Sequence, residues 1–410
     1  MKLCLIPLLV LCSVGSVLAG EASSPSGKRD GFVHPGLLHS NTDLEFIRQK
    51  LQAGEEPWVT AWKDLRSPQS SRSRSRNGRN RHLESRSKPD SNRDRRRRRP
   101  VTVSSLDHIP QPRANVVRGP SNNPNIGSSD FSTDSTAAYS HALQWCLTGE
   151  TAHAKKSIEI INAWSGTLET VSGHDARLLV GMAGMGFCNA AELLKYSHAA
   201  WREQDQEQFE HMLREVFYPV IKDFYPSANG NWDASMIQTM LAMGVYLDDH
   251  AMFDRAVTYY LEGEGNGAID NYINEFGECQ ESGRDQAHTQ MGLGFLANAC
   301  EIAWKQGVDL YGAADNRLAI GFEYTAKFNL GNEVRYEPYT SFERRYHYPK
   351  ISNDSRGRFA PIYERVVHHY HERVGLDMPF SRQVTDSQRP EGFSTTYIPW
   401  GTLTSYGPPR

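Results

Sequence analysis

The sequence of 410 residues lacks the usual signatures of metal and nucleotide sites. It contains no HExxH, no CxxC pair and no EF-hand loop, and it has no phosphate-binding loop, dinucleotide fingerprint or GxSxG elbow. We therefore expect no cofactor and no bound metal. His368, His369 and His371 come closest to a ligand cluster, but an exposed helix face is the simpler explanation of their spacing.

Long apolar runs are also scarce. The one that approaches the roughly 20 residues of a membrane-spanning helix stands at the start, MKLCLIPLLVLCSVGSVLAG. Its Lys2, its apolar run and the small residues Val17 and Ala19 are typical of a secretory signal peptide, so residues 1–19 are predicted to be removed. We expect a secreted, extracellular protein that does not enter a membrane.

Cysteine is sparse, with six in the chain, and two of these lie in the predicted signal peptide. The remaining four can form disulfides in any of three pairings, or stay as buried thiols on apolar helices. They are Cys146, Cys188, Cys279 and Cys300. A sequon at Asn353 predicts a glycosylated surface loop if the source is eukaryotic.

A basic stretch, residues 72–99, has almost no apolar side chains. Its thirteen Arg or Lys against three Asp or Glu give a formal charge of +10, whereas the whole chain carries −3. Because it cannot bury a core, residues 66–103 are predicted to be a disordered insert. It could bind nucleic acid or another polyanion, tether the protein to an anionic polysaccharide, or be a solvated loop or unspliced intron sequence. Aromatic residues for base stacking are missing, so we favour the third interpretation and expect no nucleic-acid partner.

The rest of the chain is helical in pattern. Residues 134–328 show no valine- or isoleucine-rich alternation of strand type, and mostly apolar segments alternate with amphipathic ones. The spacing predicts helices from residue 41 onward and over residues 134–145, 151–164, 173–194, 206–224, 233–247, 252–261, 286–306, 316–328 and 360–374. This succession favours antiparallel helical hairpins arranged in a ring.

Polar residues concentrate at the start of one apolar helix, within residues 278–312. On a helix, Arg284 and His288 share one face, and Gln286 and Gln290 share a neighbouring one. Such a helix can present a catalytic cluster at the rim of a bundle. A capping network in a solvated first turn is the alternative.

This helix carries a family resemblance. Residues 283–312, GRDQAHTQMGLGFLANACEIAWKQGVDLYG, resemble the signature helix of the secreted polysaccharide lyases of the alginate lyase superfamily. Residues 229–249, NGNWDASMIQTMLAMGVYLDD, and residues 323–339, EYTAKFNLGNEVRYEPY, resemble neighbouring segments of the same family. The likeness spans about residues 32–340 apart from the insert. It implies an all-α fold, an incomplete (α/α) toroid with a central cleft, and an anionic polysaccharide as substrate.

Lyases of this kind act on uronic-acid polymers by β-elimination. A proton leaves C5 beside the carboxylate, and the C4–O bond breaks. The enzyme must neutralise the carboxylate with hydrogen-bond donors or positive charge, and it must place a base near C5 and an acid near the leaving oxygen. A tyrosine can serve as both if nearby cations lower its pKa.

The resemblance implies a catalytic set. Asn231 resembles the asparagine that neutralises the carboxylate, and His288 resembles the catalytic histidine, as neutraliser or base. Arg284 would lower the tyrosine pKa or bind substrate. Structural roles compete with each assignment: a turn or cap for Asn231, core packing for His288, and a salt bridge for Arg284.

The catalytic tyrosine is harder to place. Tyr339 is our first candidate and Tyr336 the second, because both follow the signature region beside Arg335. Three further tyrosines remain possible, namely Tyr324, Tyr346 and Tyr348. The candidates for substrate binding are His174, Arg177, Trp232 and Gln286, with core packing the alternative for Trp232. In the loop of residues 104–134, either sugar contacts or turns explain Asn122, Asn123 and Asn125.

The prediction is therefore a monomeric, secreted lyase for alginate or glucuronan that works without a metal. Residues 20–65 would form the N-terminal part of the toroid, and residues 104–410 the main lyase domain with an irregular C-terminal tail. Two rivals remain: a helical-toroid glycoside hydrolase using Asp233, Asp285 or Glu281, and a non-catalytic carbohydrate-binding protein.

Overall fold

A computed structural model describes residues 31–67 and 103–407. The predicted signal peptide and almost all of the basic insert lie outside these residues. The described helices are α1 Asn41–Gln52, α2 Trp58–Arg66, α3 Ser128–Thr148, α4 Thr151–Ser165, α5 Ala176–Lys195, α6 Glu203–Met212, α7 Tyr218–Ile221, α8 Gly230–Tyr246, α9 His250–Glu262, α10 Ile269–Tyr272, α11 Gln286–Lys305, α12 Ala313–Asn329, α13 Tyr363–Val367, α14 Pro379–Gln388 and α15 Gly401–Ser405.

Four helices form the inner layer, in the order α3, α5, α8 and α11. Their residues are small or apolar, and every residue of α8 is buried. Helix α5 is long and apolar enough to cross a membrane, but 89% of its most apolar window is buried inside the fold. Helices α4 and α9 pack against the outside of this layer, and each buries one face only. These features confirm the predicted all-α toroid.

The inner helices run parallel. Gly181 of α5 lies against Ser235 of α8, and Gly184, about one turn on, lies against Thr239, also one turn on. Ser135 of α3 donates to the carbonyl of Ala183 at 2.5 Å, and Trp145, near the end of α3, donates to Ser197 just beyond α5 at 2.7 Å. The amino ends of these helices therefore gather at one end of the molecule. Because a helix dipole places partial positive charge at its amino end, this end favours anions.

The C-terminal residues lie between α11 and α3. Helix α13 packs against α11, α14 and α15, and α15 packs against α1 and α2. Aromatic contacts follow the same path, from Tyr397 on Phe295 of α11 to Trp400 on Tyr139 of α3. The predicted irregular tail is thus packed into the helical ring.

Several predicted helix ends were wrong. Helix α8 begins at Gly230 rather than near residue 233, because its first amides donate to Gln280 and Glu281, which lie fifty residues away in sequence. Helix α3 begins at Ser128, where the side chain of Asn125 accepts from the amide of Ser129.

Two other predicted helices are interrupted. The segment of residues 206–224 contains a π-helical turn, Leu213–Phe217, before the short α7, whose second residue is a proline. The segment of residues 360–374 is α13 followed by a π-helical turn, His368–Arg373. His368 and His369 are buried, so the explanation by an exposed face was wrong for both.

Short strands were not predicted, since two to four residues leave no periodic pattern. They are β1 Asn115–Arg118, β2 Asn125–Ile126, β3 Thr170–Ser172, β4 Tyr339–Thr340 and β5 His347–Tyr348. Strand β1 pairs with β2 antiparallel and with β3 parallel, and β4 pairs with β5 as a hairpin. The four cysteines of the described residues are free thiols, so none of the three possible disulfide pairings is formed among them.

Candidate active site

A buried carboxylate, Glu281, lies at the centre of the polar cluster. Its side chain has no exposed surface. It accepts hydrogen bonds from the backbone and side-chain nitrogens of Asn231, at 3.0 and 2.7 Å, and from Nη1 of Arg284 at 2.6 Å. Glu281 therefore connects the start of α8 to the turn that precedes α11. Burial raises the pKa of Glu281, while the charge of Arg284 opposes this shift.

The next members of the cluster are Arg284, His288 and Asp285. Nη2 of Arg284 lies 3.1 Å from Nε2 of His288, and Nδ1 of His288 lies 2.6 Å from Oδ2 of Asp285. Since an arginine can only donate, Nε2 of His288 must accept, and the hydrogen of the ring must sit on Nδ1 and point to Asp285. Asp285 also caps α11 by accepting from the amide of His288. The side chains of Arg284 and His288 remain 28% and 33% exposed, so a ligand can reach both.

Asn231 and His288, both predicted from the resemblance, thus belong to one network through Glu281 and Arg284. Within this network the two residues differ in access. Asn231 is fully buried, and its amide nitrogen donates to Glu281. A substrate can touch His288, whereas Asn231 lies behind the carboxylate of Glu281.

A second asparagine, Asn229, is 7% exposed and differs from Asn231 in its amide contacts. Its Oδ1 accepts from Nε2 of Gln280 at 2.9 Å and from the hydroxyl of Tyr348 at 3.0 Å. These two donors fix the orientation of the amide, and its Nδ2 makes no hydrogen bond to any described residue. Asn229 precedes the first residue of α8, where the helix dipole also favours negative charge. The amide can therefore offer an N–H to an anion.

Tyr348 reaches this cluster from the β4–β5 hairpin. Burial raises the pKa of Tyr348 to about 12, with Glu281 adding to the shift and Arg284 opposing it. Gly283 permits the approach: a Cβ on this residue would lie 2.3 Å from Cβ of Tyr348 and 2.4 Å from the hydroxyl of Tyr336. Close contact of the two backbones thus requires glycine here.

The two tyrosines ranked first from the sequence have other partners. The hydroxyl of Tyr339 donates to the carbonyl of Asn271 at 2.5 Å, and that of Tyr336 donates to the carbonyl of Tyr348 at 2.7 Å. Burial raises the pKa of Tyr339 to about 12. Both hydroxyls hold the hairpin in place. Of the remaining candidates, Tyr324 donates to the carbonyl of Arg335 at 2.6 Å.

Three of the predicted substrate-binding residues lie together near the amino ends of α5 and α8, namely His174, Arg177 and Trp232. The rings of His174 and Trp232 meet edge to face, with centroids 5.5 Å apart. The guanidinium of Arg177 lies 5.0 Å from the ring centroid of Tyr225, which also packs on Trp232. Arg345 of the hairpin donates to the hydroxyl of Tyr225 at 3.1 Å. Aromatic faces and arginines are suited to stacking on sugars and to binding carboxylates.

The fourth, Gln286, lies elsewhere. It is buried, its Nε2 donates to the carbonyls of Ser282 and Ser352, and its Oε1 accepts from Asn329. These contacts occupy its amide with protein partners. In the loop before α3, Asn122 and Asn125 accept from the hydroxyl of Ser128, which favours the turn interpretation for both.

Neither Asn229 nor Glu281 has a direct signal in the sequence. Asn229 stands in the same NGNWD turn as Asn231, and contacts with the distant Gln280 and Tyr348 decide which amide keeps an unpartnered nitrogen. The sequence suggests Glu281 only as a salt-bridge partner of Arg284 or as a hydrolase carboxylate. In the part of the chain that the structure describes, His, Cys, Asp and Glu side chains form no group of three that could hold a metal ion.

Comparison with known proteins gives the fold and the family. Alginate lyase A1-III from Sphingomonas species A1 superposes with a TM-score of 0.57 at 14% identity, covering 91% of this chain and 98% of that one. A histidine-to-alanine variant of alginate lyase A1-III complexed with a tetrasaccharide gives a TM-score of 0.58 at 15% identity, with the same coverage. An alginate lyase from Bacteroides ovatus gives 0.50 at 13% identity, covering 86% of this chain and 98% of its own. At these identities the structures show a shared fold.

A search of curated proteins finds no match. The family model described as alginate lyase matches residues 59–335, more than half of the chain. It covers the polar start of α11, the NGNWD turn and the inner helices, but not the hairpin with Tyr348. The chain therefore belongs to the alginate lyase family and is a polysaccharide lyase.

Proposed function

We propose that this protein is a secreted lyase that cleaves a polyuronate, alginate or a glucuronan-type polymer, by β-elimination without a metal. The observation that carries the proposal is the meeting of two hydrogen-bonded groups at the consecutive residues Gln280 and Glu281. The first group joins Gln280 to Asn229 and Tyr348, and the second joins Glu281 to Arg284 and His288. Together they offer hydrogen-bond donors for a carboxylate, a ring nitrogen of His288 that can accept a proton, and the phenol of Tyr348 as an acid. All of these groups lie at the end of the molecule where the inner helices begin. The resemblance and the alginate lyases of similar fold support the polyuronate as substrate.

Carboxylate neutralisation falls to Arg284 and Asn229. In the structure Arg284 donates to Nε2 of His288. A uronate carboxylate would accept hydrogen bonds from this nitrogen of Arg284 and from the free N–H of Asn229. Both donors would then stabilise the negative charge that develops on the carboxylate as the C5 proton leaves. The same step releases the lone pair of His288, so binding of the correct substrate prepares the base.

Proton transfer then involves His288 and Tyr348. Nε2 of His288 takes the C5 proton, the electrons form the C4–C5 double bond, and the C4–O bond breaks. Asp285 holds the other ring nitrogen and stabilises the resulting imidazolium. Because its pKa is raised to about 12, Tyr348 keeps its proton at neutral pH and can give it to the leaving oxygen. The proton taken by His288 then passes to the Tyr348 phenolate, directly or through solvent, which restores both groups and completes the cycle.

A hydrolase mechanism has little support at this site. It needs carboxyl groups that touch the sugar. Asp233 is fully buried and accepts from the amide of Tyr225 and the hydroxyl of Tyr259, and Glu281 is equally buried. Asp285 is occupied by His288 and the start of α11.

The test is an assay on purified protein with polymannuronate, polyguluronate and glucuronan. Elimination produces a new C=C bond, which is followed by ultraviolet absorbance, and the preferred polymer identifies the uronic acid. His288→Ala should lower kcat by about 10²–10⁴-fold, the usual contribution of a general base, while the circular dichroism stays helical. New reducing ends without absorbance, or near-normal turnover of His288→Ala, would refute the mechanism.

Export is tested separately. Expression of the full chain in a secreting host should place the protein in the medium, with an amino terminus at residue 20. Retention of residues 1–19 would remove the signal-peptide part of the proposal and leave the lyase part standing. Asn353 is exposed, which fits an accessible sequon.

A further inference from the structure

Away from the catalytic cluster, one buried arginine has no counter-ion. Arg365 of α13 is 7% exposed. Its Nη1 donates to the amide oxygen of Asn298, and its Nε is buried without a hydrogen-bond partner. Among the described residues, no carboxylate oxygen lies within 4.0 Å of this guanidinium. Burying a charge without a partner is strongly destabilising, so such a residue points to a missing partner.

Arg365 lines two cavities along α11. The first has an empty volume of ≈ 310 Å³ and is also lined by Asn298, Glu391 and Tyr397. The second has an empty volume of ≈ 210 Å³ and is lined by Asp43, Glu301, Lys305, Arg365, His368 and Arg373, among others. All but one of the residues that line the second cavity are polar or charged, so an ion suits it better than an apolar ligand.

The other charges of the second cavity cancel in pairs. Lys305 lies 2.6 Å from Asp43, and Arg373 contacts Glu301 through both terminal nitrogens at 3.1 Å. Burial alone would raise the pKa of Glu301, but Lys305 and Arg373 lower it, so the carboxylate is charged. Two cations and two anions thus balance, and the guanidinium of Arg365 is left as a surplus positive charge.

The neighbouring groups do not supply the missing anion. Glu391 lines the first cavity, but its Oε1 accepts from the backbone amides of Tyr363 and Glu364, and it forms no ion pair with Arg365. Burial raises the pKa of Glu391, and Arg365 opposes this shift. His368 is 4% exposed, lines the same cavity, and has no partner on either ring nitrogen. A ring of this kind has at least one N–H to donate. Two unpaired donors, from Arg365 and His368, therefore belong to one enclosed site.

We propose that the second cavity, which is lined by both Arg365 and His368, binds one small monovalent anion, a halide or a carboxylate of acetate size, against these two side chains. The anion would neutralise the surplus charge and join the C-terminal helices to α11. This site is separate from the catalytic cluster and does not depend on the proposed reaction.

The test measures thermal unfolding at constant ionic strength, replacing sodium gluconate by sodium chloride or sodium acetate. Wild-type protein should show a saturable rise in Tm, of about 2 °C or more once the anion is well above its Kd. Arg365→Met keeps the length of the side chain and removes the charge. It should lose this rise, and in gluconate it should be at least as stable as wild type, because an unpaired buried charge has been removed.

A matched control is Arg317→Met, which removes a partly buried arginine paired with Asp270, outside both cavities. It should keep the full response to chloride. Crystals grown in bromide should show an anomalous peak beside Arg365, which tests the site even if the variant does not fold. An equal response in Arg365→Met and wild type, no response at all, or no bromide peak would overturn the proposal.

Discussion

The hydroxyl of Tyr348 donates to Oδ1 of Asn229 at 3.0 Å, and this contact joins the hairpin to the amino end of α8. It has two consequences. The amide of Asn229 is turned so that its nitrogen has no hydrogen-bond partner among the described residues, and the phenol is held close enough to Arg284 to feel its charge. The proposed neutraliser and the proposed acid are therefore positioned by each other.

Removing the phenol hydroxyl is the first prediction. Tyr348→Phe should lower kcat by about 10²–10⁴-fold, since the leaving oxygen loses its proton donor. The helical circular dichroism should be unchanged, because the ring remains. The initial rate of absorbance increase on the preferred polyuronate measures the effect.

Tyr339→Phe is the matched control for that experiment. Its hydroxyl donates to the carbonyl of Asn271, so its loss should cost on the order of 1 kcal/mol of stability and leave kcat within a few-fold of wild type. If Tyr339→Phe is inactive while Tyr348→Phe turns over normally, the assignment of the acid must be reversed in favour of the tyrosine ranked first from the sequence.

The second prediction separates the two asparagines of the NGNWD turn. Asn229→Asp keeps an acceptor for Gln280 and Tyr348 but replaces the free N–H by negative charge. It should lower kcat by at least about 10²–10³-fold, the usual effect of losing one donor to a developing anion. Asn231→Ala removes one of the nitrogens that contact Glu281, so its main effect should be on stability.

Comparison of kcat with the free energy of unfolding for both variants decides this point. A folded Asn231→Ala protein with kcat reduced as strongly as that of Asn229→Asp would show that Asn231 acts in the reaction. A fully active Asn229→Asp protein would exclude Asn229 as the neutralising group.

The sequence was sufficient for the fold and for part of the site, and the reasons are physical. The inner helices have long apolar patterns, and Arg284 and His288 lie one turn apart, so local spacing places them. Asn229 and Tyr348 are separated by more than a hundred residues, and neither has a local pattern. Their contact depends on how the hairpin packs across α8 and α11, which periodicity does not describe. The same holds for the start of α8, whose caps come from Gln280 and Glu281.

The third prediction concerns the close packing at Gly283. A methyl group there would overlap Cβ of Tyr348. Because a Cβ atom moves only when its backbone moves, the clash must shift the strand that carries Tyr348. Gly283→Ala should therefore displace the hairpin and lower kcat by about 10²-fold or more, as expected for misplacement by about 1 Å. The unfolding transition should stay cooperative. Gly392→Ala provides a control, since a Cβ at that exposed residue meets nothing within 4 Å and its backbone does not have the positive φ that requires glycine. Equal activity of the two variants would contradict the proposed position of Tyr348.

The last prediction follows from Glu278, whose pKa is raised to about 7, mainly by burial. Its Oε2 accepts from the amide of Glu337, just before the hairpin, while its Oε1 is buried without a partner. Since the folded protein binds this proton more tightly than the unfolded chain does, stability should fall as pH rises from about 4.5 to 7. Glu278→Gln keeps an acceptor for Glu337 and cannot ionise. It should remove this part of the pH dependence and raise the free energy of unfolding at pH 8 by on the order of 2 kcal/mol relative to wild type. Denaturant unfolding at pH 5 and pH 8 measures the difference, and parallel pH profiles for the two proteins would show that Glu278 ionises freely.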